Sequence, residues 1–186
     1  MNMDRLVIKQ ILGNEQVTQY YVVSLIGKTL VLLIAPINTI VISYLTKRKE
    51  RLTRSQFGKA VLAGGGVSLA FFVACQIGTP LFVWLFYRNL YESVKGIVTV
   101  VNLAQILGLF SAFLFILVLT FTDERWQLWI QLAHFCILLV SSVLAARTYG
   151  MMGFAVASLG ANSLRVAAVV ILGIVKAGKD KGDRNA

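Results

Sequence analysis

The sequence contains few acidic residues, and none of them falls within a long apolar run. Its eight Asp and Glu residues lie near the chain ends or between apolar segments. There is one histidine, His134, and the two cysteines, Cys75 and Cys136, lie far apart. These absences exclude paired carboxylates within the apolar runs, a Ser-His-Asp arrangement and a Cys/His metal site. The composition therefore predicts no enzyme, no cofactor and no metal.

Apolar residues dominate what remains. They make up 58% of the chain, against 14% charged residues, and five segments are long enough to cross a bilayer. A span needs about 20 apolar residues, and these segments lack the alternation of barrel strands. The sequence therefore predicts an all-α integral membrane protein with about five transmembrane helices. The predicted spans are 20–45, 60–87, 97–121, 126–146 and 151–175.

Basic residues are distributed unequally between the two sides that these spans define. Eleven lie in the first and third loops and the C-terminal segment, and five lie on the other side. The positive-inside rule therefore predicts a cytoplasmic tail over 177–186 and an external loop over 1–19, flanking a transmembrane domain over 20–176. The basic first loop is expected to contact anionic headgroups of the lipid bilayer rather than nucleic acid.

Two cations, Lys28 and Arg165, lie inside predicted spans. Lys28 either reaches the outer headgroups or faces a cavity. Tyr21 and Ser24 share its helix face, which favours the cavity. Arg165 shares a face with Asn162, and it stays charged. Because no Asp or Glu occurs within a span, we expect the partner of each cation to be water, another chain or an anionic ligand such as phosphate.

Further polar residues lie within the predicted spans, and each either lines the cavity or forms a hydrogen bond between helices. The candidates for lining the cavity are Tyr21, Ser24, Asn38, Gln76, Asn102, Gln105, Gln131, His134 and Asn162. Two prolines, Pro36 and Pro80, also lie inside spans, where each is either a hinge or a static kink.

The order of four motifs resembles the C-terminal part of the polysaccharide-export flippases of the MOP superfamily, the Wzx-like oligosaccharide branch. The chain begins with Asp-Arg, an "LG" turn and a tyrosine, in "MDRLVIKQILGNEQVTQYY". A proline-containing helix and the segment "GTPLFVWLFYRNLYE" follow. The last helix opens with a G-x-x-G-x-A-x-A pattern, in "GMMGFAVA".

This resemblance implies a multi-pass protein of the bacterial inner membrane that exports lipid-linked oligosaccharide. It makes Lys28 and Arg165 candidates for contacting the lipid phosphate. Full members of the family have twelve to fourteen spans in two lobes, so the resemblance implies that these five helices form most of one lobe of a two-lobed transporter. The missing N-terminal lobe is then expected upstream or as a separate chain. Two alternatives stay open: one lobe of a multidrug or cation antiporter, which usually requires an intramembrane acid, and a non-transporting membrane scaffold or partner subunit.

Overall fold

The computed structural model describes residues 3–47 and 53–177, and every regular element within these ranges is an α-helix. The described residues therefore form an all-α fold. Most of the basic residues that predict the orientation of the first loop and the tail lie at 48–52 and 178–186, outside the described residues. The helices are α1 (Met3–Leu12), α2 (Asn14–Thr46), α3 (Arg54–Phe86), α4 (Arg88–Val94), α5 (Val98–Leu119) and α6 (Glu124–Lys176).

Local sequence signals explain several helix ends. Gly13 has a φ of +94°, and its N–H donates to the carbonyls of Ile8 and Lys9, both at 3.2 Å. This left-handed conformation ends α1 and costs a glycine little. Thr53 begins α3 with a capping box: its hydroxyl accepts from the Gln56 N–H at 3.3 Å, and the Gln56 side chain accepts from the Thr53 N–H at 3.2 Å.

The long helix α6 is a hairpin of two arms, residues 124–149 and residues 151–176. Gly150 between them has φ 61° and ψ −143°, outside the helical region. His134 and Asn162 are 28 residues apart, which in a straight helix would be about 42 Å. Their side chains instead meet at 3.1 Å. The two arms therefore run antiparallel, and Gly150 makes the reversal.

Helix α5 is the centre of the bundle, because α2, α3 and α6 all pack against it. It contributes to three buried clusters along its length: Val101 at one end, Ile106 in the middle and Leu114 at the other end. The first cluster also contains the turn of the α6 hairpin and residues of α1, α2, α3 and α4. Elsewhere α3 and the first arm of α6 expose large apolar side chains, as helices in contact with lipid do.

Three helices of the described chain are long and apolar enough to cross a membrane: Arg54–Phe86, Val98–Leu119 and Arg125–Lys176. The count of about five spans is therefore not confirmed, since α2 is not among the three and α6 counts as one helix. The predicted boundary between the fourth and fifth spans agrees with the reversal at Gly150. The other helices extend to within a few residues of the predicted spans, except that α2 and α3 each begin six residues earlier.

The prediction of a loop over residues 1–19 is wrong in conformation. Residues 3–12 form α1, and α2 begins at Asn14. Asp4, ten residues before the start of α2, contacts Lys28 in its middle, so α1 folds back antiparallel to α2. Ile8 is fully buried, because α1 packs against both α2 and α6. An amphipathic segment before a glycine turn is therefore part of the bundle rather than a connection to it.

Candidate functional site: a cationic groove between α2 and α6

A groove of about 410 Å³ lies over α5, between α2 and the two arms of α6. Helix α1 lies at one end of it, near the contact between Tyr20 of α2 and Phe154 of α6, whose rings meet edge to face at 5.3 Å. Polar side chains from four helices line it together with apolar ones. The polar lining residues are Asp4, Tyr20, Lys28, Gln105, Gln131, His134, Ser142, Ser158, Asn162 and Arg165.

Lys28 is paired in the groove. Its Nζ donates to Oδ2 of Asp4 at 2.6 Å, and both side chains are about a quarter exposed or less. The expectation that the partner of Lys28 is water, another chain or an anionic ligand is therefore wrong, since α1 brings a carboxylate from outside the predicted spans to it. The other carboxylate oxygen of Asp4, Oδ1, is buried and makes no hydrogen bond to any residue the structure describes.

Arg165 is the second cation of the groove, and it differs from Lys28 in having no carboxylate beside it among the described residues. Its Nε is buried and donates to no acceptor in the described ranges. The guanidinium carbon lies 5.3 Å from the centre of the Phe115 ring, a cation–π contact. A guanidinium presents five N–H donors in a fixed fork, so a buried donor without an acceptor is suited to an anionic oxygen.

The hydrogen bonds of Asn162 determine which ring nitrogen of His134 is free. Asn162 Nδ2 donates to the carbonyl of Ala104 on α5 at 2.9 Å. Its Oδ1 therefore faces His134 Nε2 at 3.1 Å, and Nε2 must be the donor. In the neutral ring Nδ1 is then a hydrogen-bond acceptor. The pair ties both arms of α6 to α5, and it leaves Nδ1 of His134 as an acceptor.

Lys28 and Arg165 lie at similar depth along the groove. The contact between Tyr20 and Phe154 sets a common level at one end, and both helices run away from it. Lys28 is eight residues beyond Tyr20 and Arg165 is eleven beyond Phe154, or about 12 Å and about 16 Å along the helix axes. The two cations therefore lie on opposite walls at depths that differ by about one helical turn.

The charged side chains that line the groove, within the part of the chain that the structure describes, are Asp4, Lys28 and Arg165. With Asp4 and Lys28 neutralising each other and His134 neutral, one positive charge remains, on Arg165. In a region of low dielectric an uncompensated charge attracts an opposite charge strongly. The groove is thus suited to a ligand that carries an anionic group.

Six of the predicted site residues lie in the groove: Lys28, Arg165, Gln105, Gln131, His134 and Asn162. Tyr21 lies instead under the guanidinium of Arg5, 4.1 Å from its ring centre. Ser24 is fully buried and donates to the carbonyl of Tyr21 in its own helix. Asn38 lies outside the groove, towards the C-terminal end of α2.

Asn102 and Gln76 form a buried hydrogen-bond network between α3 and α5 rather than part of the groove. Asn102 Nδ2 donates to the Cys75 carbonyl at 3.1 Å and to Gln76 Oε1 at 3.0 Å. Its Oδ1 accepts from the hydroxyl of Thr79 at 3.2 Å. The network lies one turn before Pro80, where α3 continues without a break. It therefore holds the helix in place beside the proline. Helix α2 likewise continues through Pro36.

Two residues that shape the groove, Asp4 in its lining and Gly27 beside it, had no signal in the spacing of polar residues. Asp4 lies outside every predicted span, so its place depends on how α1 packs. Gly27 allows α2 to approach α5 closely, because a Cβ there would lie 2.9 Å from Cβ of Gln105. That close approach positions the neighbouring Lys28 over α5. Nothing in the local sequence distinguishes this glycine from the other glycines of the spans.

No family model, curated protein or solved structure matches the chain. The function of the groove is therefore argued from its own residues: a guanidinium whose Nε has no acceptor in the described ranges, a paired ammonium and a polar wall in a bundle with an apolar surface.

Proposed function

We propose that the chain is a five-span membrane protein whose groove binds the phosphate of an anionic amphiphile, and that it works as part of a lipid-linked oligosaccharide flippase. The observation that carries the proposal is the buried Nε of Arg165, without an acceptor among the described residues, in a groove with a net positive charge.

Helix length supports the proposed five-span arrangement. Residues Arg125–Lys176 would extend about 78 Å as a straight helix, more than twice a hydrocarbon core of about 30 Å. Two antiparallel arms of that helix are each long enough to cross. Helix α2 has 33 residues, about 50 Å, so it also reaches across. With α3 and α5 this makes five spans, oriented by the positive-inside rule with the N-terminus outside and the C-terminus in the cytoplasm.

Burial of Arg165 favours an anionic ligand. A guanidinium placed inside a membrane protein costs free energy unless it finds an anion, a carbonyl or water. Lys28 meets this requirement through Asp4 at 2.6 Å. Arg165 lies over the Phe115 ring at 5.3 Å, and its Nε has no acceptor among the described residues. Phosphate oxygens fit the fork of N–H donors in two places at once.

The apolar rim of the groove favours an amphiphile over a free anion. Val31 of α2 is 42% exposed and Phe135 of α6 is 37% exposed, and both line the groove. Side chains of this kind at the edge of a bundle face lipid tails. A ligand can then place its charged group beside Arg165 and leave its alkyl chain in the bilayer, between α2 and the first arm of α6.

The groove also bears on the antiporter alternative. An antiporter of cations needs an acid that is free to bind a cation or proton, and Asp4 is the acid in the groove. Its Oδ2 is held by Lys28 at 2.6 Å, and the net charge around it is positive. A cation that binds to Asp4 would have to displace the ammonium of Lys28, and the net positive charge of the groove would repel it. The groove therefore favours anion binding.

Equilibrium binding to the purified protein in nanodiscs tests the proposal. The probe is dodecyl phosphate, followed by native mass spectrometry or calorimetry. Arg165→Gln should weaken its binding about 10- to 100-fold, the range that a charge-assisted hydrogen bond of about 1.5–3 kcal/mol represents. Arg165→Lys should keep part of the affinity. Arg147→Gln, an exposed arginine of α6 outside the groove, is the matched control and should bind as the wild type does.

Inorganic phosphate separates the two possible sources of the anion. We expect it to bind at least tenfold more weakly than dodecyl phosphate, because it buries no alkyl chain. Equal affinity for both would contradict the amphiphile and indicate a site for a soluble anion. Equal affinity of wild type and Arg165→Gln for dodecyl phosphate would contradict the site itself.

The transport part of the proposal is tested in cells with the complete transporter. Lys28→Ala and Arg165→Ala are expected to reduce export of glycan while the protein level in the membrane stays unchanged. Normal export from both variants would remove these residues from the mechanism.

A further inference from the structure

We infer that Asp4 competes with the ligand for Lys28. The carboxylate of Asp4 pairs with the ammonium of Lys28, and a second anionic group of the ligand displaces this carboxylate. This rests on the proposed binding of an anion at Arg165. It makes Asp4 the residue that sets how many charges of a ligand the groove can accept.

The geometry of the pair supports exchange. Asp4 holds Lys28 through Oδ2 alone, at 2.6 Å, and its Oδ1 is buried with no donor in the described part of the chain. A carboxylate prefers donors on both oxygens, so this one is satisfied on one side only. A buried acceptor without a donor reduces the net stability of the ion pair. The pair is therefore weaker than the short distance between Nζ and Oδ2 implies.

The position of Lys28 supports the same exchange. It lies on the wall opposite Arg165, about one helical turn shallower, and both line the same groove. A ligand with one anionic group is satisfied by Arg165, which has no carboxylate partner among the residues that the structure describes. A ligand with two anionic groups has a second charge near Lys28, and that charge must replace Asp4 to use the ammonium.

The construction of α1 allows Asp4 to leave. It is the second residue of a 10-residue helix. Helix α1 is joined to α2 by a single residue, Gly13. This glycine has a φ of +94°, and a Cβ added to it would meet nothing within 4 Å. The fully buried residue of α1 is Ile8, one turn further along. Within the first turn Arg5 contacts the Tyr21 ring at 4.1 Å, so release of Asp4 loosens this contact as well while Ile8 stays packed.

A spin label on α1 reports the exchange directly. Leu6 is 55% exposed, and the label is placed there by Leu6→Cys in a Cys136→Ala background, which leaves only the buried Cys75. The electron paramagnetic resonance spectrum of Asp4→Asn in this background is the reference for the state in which residue 4 has released Lys28. Asp123→Asn, an exposed acid before α6, is the matched control and should give the wild-type spectrum.

Two probes differ in their charge: dodecyl methyl phosphate has one anionic group and dodecyl diphosphate has two. Saturation with the diphosphate should narrow the spectrum to that of Asp4→Asn. Saturation with the methyl phosphate should leave it unchanged. Asp4→Asn should also bind the diphosphate about tenfold more tightly, which corresponds to about 1.4 kcal/mol.

The outcomes separate this inference from the proposed function. If binding requires Arg165 but the diphosphate does not change the spectrum, the exchange at Asp4 is contradicted. The proposed anion site at Arg165 is supported in that case. Weaker diphosphate binding by Asp4→Asn would overturn it as well, because Asp4 would then support the site. Absence of binding by either probe to the wild type would contradict both.

Discussion

Oδ1 of Asn162, on the second arm of α6, accepts a hydrogen bond from Nε2 of His134, on the first arm, at 3.1 Å. The same amide donates to the carbonyl of Ala104 on α5 at 2.9 Å. One side chain therefore joins three helical segments beside the groove. The amide packs against Gly108 of α5, where a Cβ would lie 3.4 Å from Nδ2 of Asn162, an ordinary van der Waals contact.

Loss of the Asn162 side-chain hydrogen bonds should destabilise the hairpin. Asn162→Leu keeps a similar volume and removes both bonds, so His134 Nε2 and the Ala104 carbonyl lose their partner. Because hydrogen bonds between membrane helices average about 0.6 kcal/mol each, we expect a loss of about 1 kcal/mol. The measurement is thermal unfolding in detergent. Asn89→Leu, an exposed asparagine of α4, is the control, and equal melting of both variants would contradict the role of Asn162.

Replacement of Gly150 should disturb the reversal of α6. Its φ of 61° and ψ of −143° lie in a region that residues with a Cβ rarely adopt. Gly150→Ala should therefore lose about 1–3 kcal/mol of stability, measured by chemical unfolding in detergent. Gly160→Ala provides the contrast, since Gly160 is helical and a Cβ there meets nothing within 4 Å. That variant should be neutral or slightly stabilised. If both substitutions behaved alike, the turn would tolerate a Cβ.

The ring of Phe57 lies against the backbone of Gly173. This contact packs the start of α3 against the end of α6. A Cβ at Gly173 would overlap the ring, and Phe57 is fully buried. Gly173→Ala should cost about 1–3 kcal/mol through overpacking. Gly66→Ala, where a Cβ meets open space, should not. Adding Phe57→Leu to Gly173→Ala should recover part of the loss, as measured by melting temperature; no recovery would place the strain elsewhere.

Helical periodicity was sufficient to predict part of the groove. Gln131 and His134 are three residues apart, and Asn162 and Arg165 are three apart, so each pair shares a helix face. The reversal at Gly150 then brings the two faces together. The same reasoning could not decide whether Asn102 lines a groove or forms a contact between helices, because its side chain points into the bundle in either case. Its partners on α3 decide it.

Asp4 shows why the rest of the site could not be predicted. The prediction considered acids only within the long apolar runs, and Asp4 belongs to a short helix of low hydrophobicity. Its contact with Lys28 depends on a glycine turn and on the burial of Ile8, which are tertiary features. The sequence pattern indicated two cations, Lys28 and Arg165, but not that they differ: among the residues that the structure describes, Lys28 is paired with Asp4 and Nε of Arg165 has no acceptor.

Photoaffinity labelling in nanodiscs tests the central claim most directly. The probe is dodecyl phosphate with a diazirine on the carbon next to the phosphate ester, and labelled peptides are identified by mass spectrometry. We predict labels near Val31 of α2 and near Phe135 and Leu139 of α6, reduced by Arg165→Gln and not by Arg147→Gln. Labels spread over the exposed face of α3, with the same yield in Arg165→Gln as in the wild type, would contradict an anion site in the groove.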